Sequence, residues 1–437
     1  MNSKINIGIP EEVIYIIDTL NMNNYKAYIV GGCVRDSIMG KEPKDWDVTT
    51  EAKMDEIKSL FGKTIDTGIK HGTVTVVLNK NNYEITTFRA LSEDNPITIE
   101  GDMRLRDFTI NAIAFHPKEG FIDPFKGLKD IENSVIRAVG RAQDRFTEDP
   151  LRMLRAVRFS STLGFEIDKE TLISIKHNSQ LISTVSPERI RDELTKILVS
   201  ARPMNFKLLR ETGLLKHVLP EFDICFETTQ NHPYHVYNVA EHSLHTVSSI
   251  ENEKNLRWTM LLHDTGKAVT KTTDTDGIDH FYGHPEKSVQ IAKKVLERLK
   301  FDNKTLNRVC TLIKHHDRRI EPNHRSVRKA VSVVGEDMFE DLLKVQEADK
   351  KGQNPQYLND RLDALNRIRR IYYDIREKNQ CLTLKDLAVD GSDLTNLGFE
   401  QGREIGIILN DLLEMVIDDP ELNTKESLIK LINTRRK

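Results

Sequence analysis

Cysteine is scarce and scattered. Cys33, Cys225, Cys310 and Cys381 are the only four in 437 residues, and no two of them form a CxxC pair. That spacing excludes a zinc knuckle and a disulfide framework and fits a reducing cytosol. No apolar run approaches the ~20 residues a membrane span needs. The start, MNSKINIGIPEEVIYII, lacks the charged-then-apolar form of a secretory leader. Neither sign of charge dominates: 64 Lys and Arg stand against 67 Asp and Glu, a formal net charge of -3. This excludes a globally basic nucleic-acid coat but leaves room for a local basic groove. Short repeats and low-complexity tracts are missing as well. A soluble cytoplasmic chain without a membrane partner is expected, and its length calls for two or more cores.

What is present is unevenly distributed. The first part reads as mixed α/β: an amphipathic helix (EEVIYIIDTLNM), a short strand (KAYIV), a glycine turn, a helix through VRDSIMG and a strand at DWDVTT. HGTVTVVLN and YEITTFR alternate with period two and, joined by KNN, predict a hairpin. From about residue 141 strand signals nearly vanish. DPLRMLRAVRFSSTLG and PERIRDELTKILVS carry helical spacing with Ser, Thr or Asp starts, and the remainder continues in that style. The expected boundaries are a head over 1–140, a helical neck and body over 141–231, a histidine-rich domain over 232–352 and a helical tail over 353–437.

The chemistry begins at VGGCVRDSIMGKEPKDWDVTT, residues 30–50. After a buried strand, Gly31 and Gly32 let the backbone approach a ligand, and the following helix points free amides at it, which predicts a phosphate cradle. Asp45 and Asp47, two apart on a strand, project from one face and suit divalent metal, while Trp46 packs on the other. Two Mg2+ ions held there activate an attacking hydroxyl and steady a leaving pyrophosphate. Either fragment alone is an ordinary turn or a solvated strand end; their order and spacing carry the reading. Glu84 on YEITTFR is the candidate third carboxylate.

Strand, GG, helix and DxD resemble the nucleotidyltransferase superfamily that includes DNA polymerase beta. GGCVRD followed by DWDVTT is similar to the tRNA nucleotidyltransferases and bacterial poly(A) polymerases. The resemblance continues through LRDFTINA (105–112), IDPFKG (122–127), TEDPLRMLRAVRF (147–159), SPERIRDEL (186–194) and DLTNLGFEQGREIGIILNDLLE (394–415). It implies an α+β protein, a polymerase-beta-like head with a mixed sheet followed by an all-α neck, body and tail. It also implies addition of CCA to the 3′ acceptor end of tRNA from CTP and ATP. Asp149 and Arg152 occupy the family's base-reading EDxxR position. Three apart on a helix, they would share a face and offer an acceptor beside a fork of donors, matching cytosine and adenine but not guanine and uracil. Arg106 and Asp107 resemble the ribose-contacting part; Arg35, Asn111, Arg155 and Arg158 fall to nucleotide binding. Where the family commonly has two arginines before this aspartate, the first here is Leu105. The segment LSEDNPITIEGDMR between TTFRA and LRDFTINA is short, so CC-only addition stands as the alternative. Poly(A) polymerase follows, then a hydrolase with a nucleotide-sensing head.

HVYNVAEHSLHTV, LLHDTGK, GHPEKSVQIA, LIKHHD and QEADKKG succeed one another over 235–352 and resemble the HD phosphohydrolases. By that resemblance His242, His263, Asp264, His284, His315, His316 and Asp349 hold a divalent ion, and imidazoles beside carboxylates suit a transition metal. Hydrolysis of a phosphoester, such as a cyclic phosphate at an RNA end, is the implied reaction.

Overall fold

The computed structural model describes residues 7–68, 72–89 and 97–435. The chain divides into two compact units, Met1–Ile197 with Asn205–Val218 and Leu198–Met204 with Leu219–Lys437. The first opens with the helix Glu11–Met22, whose buried Val13, Ile16, Ile17 and Leu20 follow helical spacing, and whose first-turn Glu11 and Glu12 complement the helix dipole.

Seven strands follow: β1 (Ala27–Val30), β2 (Asp47–Thr50), β3 (Thr64–Gly68), β4 (Thr73–Leu78), β5 (Asn81–Thr87), β6 (Ala114–His116) and β7 (Gly120–Ile122). They form one mixed sheet in the order β3-β4-β5-β2-β1-β6-β7. Every neighbouring pair is antiparallel except β2 and β5, which run parallel with Asp47 opposite Glu84. The expected hairpin is present, but its turn is Asn79-Lys80 rather than KNN. Both residues have positive φ (49° and 69°), as a two-residue turn matching the strand twist requires. One face of the sheet buries Tyr28, Val30, Phe88, Met103, Ala112 and Ala114 in a common core. Of the short segment Leu91–Arg104, residues 91–96 lie outside the described residues, and Ile99–Arg104 form a helix capped by Thr98.

Helices Ala142–Glu148, Leu151–Leu163, Lys169–Asn178 and Pro187–Leu198 complete this unit. Leu151–Leu163 buries Met153, Leu154, Ala156, Val157 and Phe159 and leaves Arg152, Arg155 and Arg158 on its other face. It stops at Gly164, whose φ of 78° is the left-handed cap that β-carbon residues avoid.

The second unit is helical apart from the small hairpin Thr272–Thr273/Asp279–His280, which sequence reading missed. Its helices Val239–Ser249, Lys254–Leu262, Asn303–His315 and His324–Val334 start on side-chain caps from Asn238, Glu253, Asp302 and Asn323. Three further helices, His284–Arg298, Glu336–Lys351 and Leu358–Glu377, pack among them. The C-terminal helices Arg403–Asp418 and Lys425–Arg435 enclose a core of their own around Leu394, Leu412, Val416 and Leu428. All four cysteines are free thiols. Among the described residues no helix is long and apolar enough to cross a membrane.

Candidate active site and metal centre

In the first unit β1 delivers the chain to Gly31 (φ 80°), and the helix Gly32–Ile38 leaves from it. Space at Gly31 is as restricted as its torsion. A Cβ there would lie 2.9 Å from Arg106 Nη1 and 3.8 Å from Asp47 Oδ2. Gly31→Ala therefore adds left-handed strain of about 1–2 kcal/mol and displaces Arg106. If the cradle takes a nucleotide as the resemblance implies, turnover by that variant should fall on the order of 10²-fold, the scale of an ångström misplacement in an active site, as steady-state kinetics would show.

Asp45 lies in the bend before β2 and Asp47 is the first residue of the strand, with Trp46 buried between them. The strand is thus shorter than expected, yet both carboxylates line one cavity of ≈ 610 Å³ with Gly31 and Gly32. Burial and then the Glu84 carboxylate push the Asp47 acid up to about 6; Arg106 opposes this and Asp45 adds to it. Glu84 faces Asp47 across the parallel pair but is exposed and does not line the cavity.

The basic wall is pre-arranged by buried acids. Asp102, fully buried, accepts from Arg89 Nε at 2.8 Å and Arg106 Nη2 at 3.1 Å, so both guanidinium groups stand at the cavity. Asp107 accepts from Arg155 Nε (2.8 Å), Asn111 Nδ2 (3.0 Å) and the Phe108 amide (2.8 Å). Arg35 Nη1 donates to Asn111 Oδ1 at 2.6 Å, extending the chain of contacts. Arg158 pairs with Glu193 at 2.6 Å, and its Cζ sits 3.7 Å from the Phe159 ring centroid. Burial works against ionised Asp107, but Arg155 and Asn111 outweigh it and hold the carboxyl at about 2. A depressed carboxyl stabilises the fold above its unfolded value near 3.8 and loses that contribution as pH falls toward 2. It is worth about 2 kcal/mol at neutral pH. In acid denaturation the stability gap between parent and Asp107→Asn should close over this window.

Asp149 and Arg152 do not share a helical face. Pro150 separates two helices, and Asp149 occupies the elbow with extended torsions (φ -143°, ψ 97°). Its two oxygens accept from Arg189 Nη2 (2.8 Å) and Nη1 (3.3 Å). Arg152 donates to Glu148 Oε2 (3.0 Å) and to the Leu105 carbonyl (2.9 Å). Because that last contact is to backbone, leucine at 105 does not remove it. Both residues still line the cavity, as do Arg35, Arg106, Asp107, Asn111, Arg155 and Arg158. Seven arginines and four aspartates line the cavity, and Asp102, Glu148 and Glu193 behind the wall pair with four of those arginines, so the guanidinium groups are held in place by ion pairs. Sequence reading missed Arg89, Asp102 and Arg189; Arg189 meets Asp149 from 40 residues away, and Asp102 gathers Arg89 and Arg106 from either side.

In the second unit His242, His263, Asp264 and Asp349 offer ligand atoms within 4.8 Å of one another, and Asp264 joins His284 and His316 in a second such group. His315 belongs to neither; of the adjacent pair only His316 points inward. Asp264 is the hinge of the arrangement. Its Oδ2 lies 3.4 Å from His242 Nε2 and 3.3 Å from His263 Nε2, and its Oδ1 lies 3.4 Å and 3.5 Å from His284 and His316 Nε2.

Each of these four imidazoles turns Nδ1 to a backbone carbonyl: Gly352 (3.0 Å), Met260 (2.8 Å), Phe281 (2.9 Å) and Ile313 (2.7 Å), respectively. Such bonds place the proton on Nδ1 and free the Nε2 lone pair for a metal. His263 Nε2 and both Asp264 oxygens are buried without a hydrogen bond, although Lys267 Nζ lies 2.8 Å from Oδ2 out of alignment. Burial favours neutral His263, yet Asp264 and Asp349 push it up to about 10, the mark of a site with surplus negative charge. The donor set fits a divalent transition metal.

Residues 27–137 match the poly A polymerase head domain, 164–225 the RNA- and SrmB-binding site of polymerase A, and 280–432 the tRNA nucleotidyltransferase domain 2. A CCA-adding enzyme of Lactobacillus johnsonii is 33% identical over 429 residues, 96% of each chain. The Bacillus stearothermophilus CCA-adding enzyme, crystallised with CTP, is 28% identical with a TM-score of 0.73 over 98% of each chain. The Thermotoga maritima CCA-adding enzyme complexed with tRNA-CCA shares the fold at 20% identity and a TM-score of 0.62, over 98% of this chain and 96% of that one. With a relative of that identity matching from end to end, the chain belongs to the CCA-adding enzymes, a family of tRNA nucleotidyltransferases.

Proposed function

We propose that this protein extends the 3′ end of tRNA with CCA from CTP and ATP, choosing each base with side chains in place of a nucleic-acid template. The observation that supports it best is one arginine-rich cavity lined together by Gly31, Gly32, Asp45, Asp47, Asp149 and Arg152. Asp45 and Asp47, with Glu84 beside them, would hold Mg2+, which when bound supplies positive charge to the attacking hydroxyl and departing pyrophosphate.

The chain's own groups do the rest. Arg35, Arg155 and Arg158 neutralise the triphosphate, their guanidinium carbons clustered 3.7–5.4 Å from the Phe159 ring. Arg106 and Asp107 face the ribose. Asp149 accepts from the exocyclic amine of cytosine or adenine while Arg152 donates to the ring nitrogen. A wrong base leaves these groups buried and unpaired. In this reading 1–140 carries the chemistry, 141–231 base selection, 232–352 a metal centre and 353–437 contacts to the tRNA backbone, and the enzyme works in the cytoplasm.

The test is a tRNA lacking its last three nucleotides, incubated with CTP and then with CTP plus ATP. Two added residues followed by a third are expected. A product that stops at two cytidines would mark CC-only addition, and long tails on other RNAs from ATP alone a poly(A) polymerase.

A second activity is favoured by the Nε2-facing cluster around Asp264: hydrolysis of a phosphoester at a transition-metal centre held by His242, His263, Asp264, His284, His316 and Asp349. The metal-loaded His263→Ala/Asp264→Ala variant is expected to lose both bound metal and phosphodiesterase activity while adding CCA normally. Equal phosphodiesterase rates in variant and parent would remove the assignment.

A further inference from the structure

Beside the metal centre the second unit carries two cavities that share a wall. The first, ≈ 410 Å³, is lined by Asp264, His284, His316 and Asp349; the second, ≈ 670 Å³, by Arg319, Lys350 and Tyr357 over an apolar floor that includes Ile320 and Leu365. Tyr234 and Arg361 line both. The second cavity is lined by three cations, Arg319, Lys350 and Arg361, and one carboxylate, Asp360, and Arg319 also pairs with Glu321 at 2.8 Å. The Lys350 ammonium has no ion-pair partner among the described residues.

The shared wall is aromatic. Tyr234, 43% exposed, meets Tyr357 edge to face at 4.9 Å, and the Arg361 guanidinium lies 5.2 Å from the Tyr234 ring centroid. A hydrogen-bond chain ties this wall to the metal centre: Arg361 donates to Gln353 Oε1, and Gln353 Nε2 donates to Asp349 Oδ2 at 2.9 Å. The metal-ligand cluster, a partly exposed tyrosine flanked by His232 and Arg361, and a second hollow with an apolar floor thus lie side by side. That is the sequence of features a phosphate, a base and the next phosphate along a strand require.

We propose that the second cavity is a subsite for the penultimate nucleotide, so that the metal centre prefers the phosphorylated end of a strand at least two nucleotides long over a mononucleotide. This rests on the hydrolase reading given above. Tyr234 stacks the penultimate base, and Lys350 and Arg319 take the phosphodiester next to it. The reaction is hydrolysis: a water oxygen bonds to the terminal phosphorus, one ester P–O bond breaks, and the released oxygen takes up a proton.

The test uses the full-length, metal-loaded protein and three probes: bis(p-nitrophenyl) phosphate, a uridine mononucleotide ending in a 2′,3′-cyclic phosphate, and the corresponding diuridine nucleotide. Hydrolysis of all three is expected, with kcat/KM for the dinucleotide at least about tenfold above that for the mononucleotide, the scale of one base stacked on an aromatic ring. Arg319→Ala/Lys350→Ala should remove that advantage and leave the mononucleotide rate within about twofold. Tyr234→Ala should lower the ratio of dinucleotide to mononucleotide kcat/KM as well, and Tyr234→Phe should keep it. Anisotropy of a fluorescent diuridine phosphate on metal-free protein should show about tenfold weaker binding in the double variant. Equal kcat/KM for mono- and dinucleotide, or an advantage that survives the double variant, would overturn the subsite alone. No hydrolysis of any probe would overturn the hydrolase reading and the subsite with it.

Discussion

Asp47→Asn is expected to lower CTP incorporation by on the order of 10³-fold while raising the melting temperature of the metal-free protein. The first effect follows from charge. Asparagine keeps the shape of the side chain at the head of β2, but a neutral amide is a poor ligand for a hard cation and brings no negative charge to hold the metal that neutralises the polyphosphate. The second follows from the crowd around it. Asp47 is pushed up to about 6 by burial, Glu84 and Asp45. A carboxyl whose folded value lies above its unfolded one holds its proton longer in the folded chain. Ionisation therefore destabilises the fold as pH rises from about 4 to 6, and above 6 the full penalty is present. Removing the charge relieves it. Single-turnover incorporation and thermal unfolding at pH 8 without metal measure the two arms. Retention of CTP incorporation by Asp45→Ala/Asp47→Ala would instead make the head a nucleotide sensor.

Asp149→Asn should change which base enters. An ionised carboxylate can only accept, and it accepts from the amines of cytosine and adenine; an amide can present N–H to the uracil carbonyl instead. Asparagine also weakens the two-oxygen contact with Arg189, at 2.8 and 3.3 Å, that fixes the acceptor's aim. The CTP-over-UTP ratio of kcat/KM should fall about 10²–10³-fold, since a site built on buried hydrogen bonds rejects a mismatched partner by leaving its own groups unpaired. Most of the change is expected as lost CTP turnover, with UTP rising. An unchanged ratio would place base selection elsewhere in the cavity.

Much of this site could be read before any coordinates, because its parts are local. The helix Glu11–Met22 announces itself through Val13, Ile16, Ile17 and Leu20, and the β4–β5 pair through the Thr-Val repeat of β4 and the Tyr83 and Ile85 positions of β5. Asp45, Asp47 and the glycines lie within one short run, and His263 and Asp264 are neighbours. What escaped depends on contacts that no spacing records. Asp149 and Arg152 keep a helical interval, but Pro150 breaks the helix between them and gives each a separate partner. Arg89 and Asp102 meet across a segment without periodic signal, and Arg189 reaches Asp149 from 40 residues away. Glu84 can be matched to Asp47 only once β2 and β5 are known to run parallel. His315 and His316 are indistinguishable as letters; where the helix Asn303–His315 ends decides which one turns toward Asp264.

The carbonyl anchors behind the four imidazoles have a consequence for how that centre lives in the cell. Three of the rings are tied to main chain only three residues back, at Met260, Phe281 and Ile313, and only His242 leans on a distant turn, at Gly352. A socket braced by its own local backbone keeps its form when empty. An ion taken up by the proposed centre would fill it without a refolding step, a chelator would strip it without melting the helices, and its occupancy would follow the free metal around it.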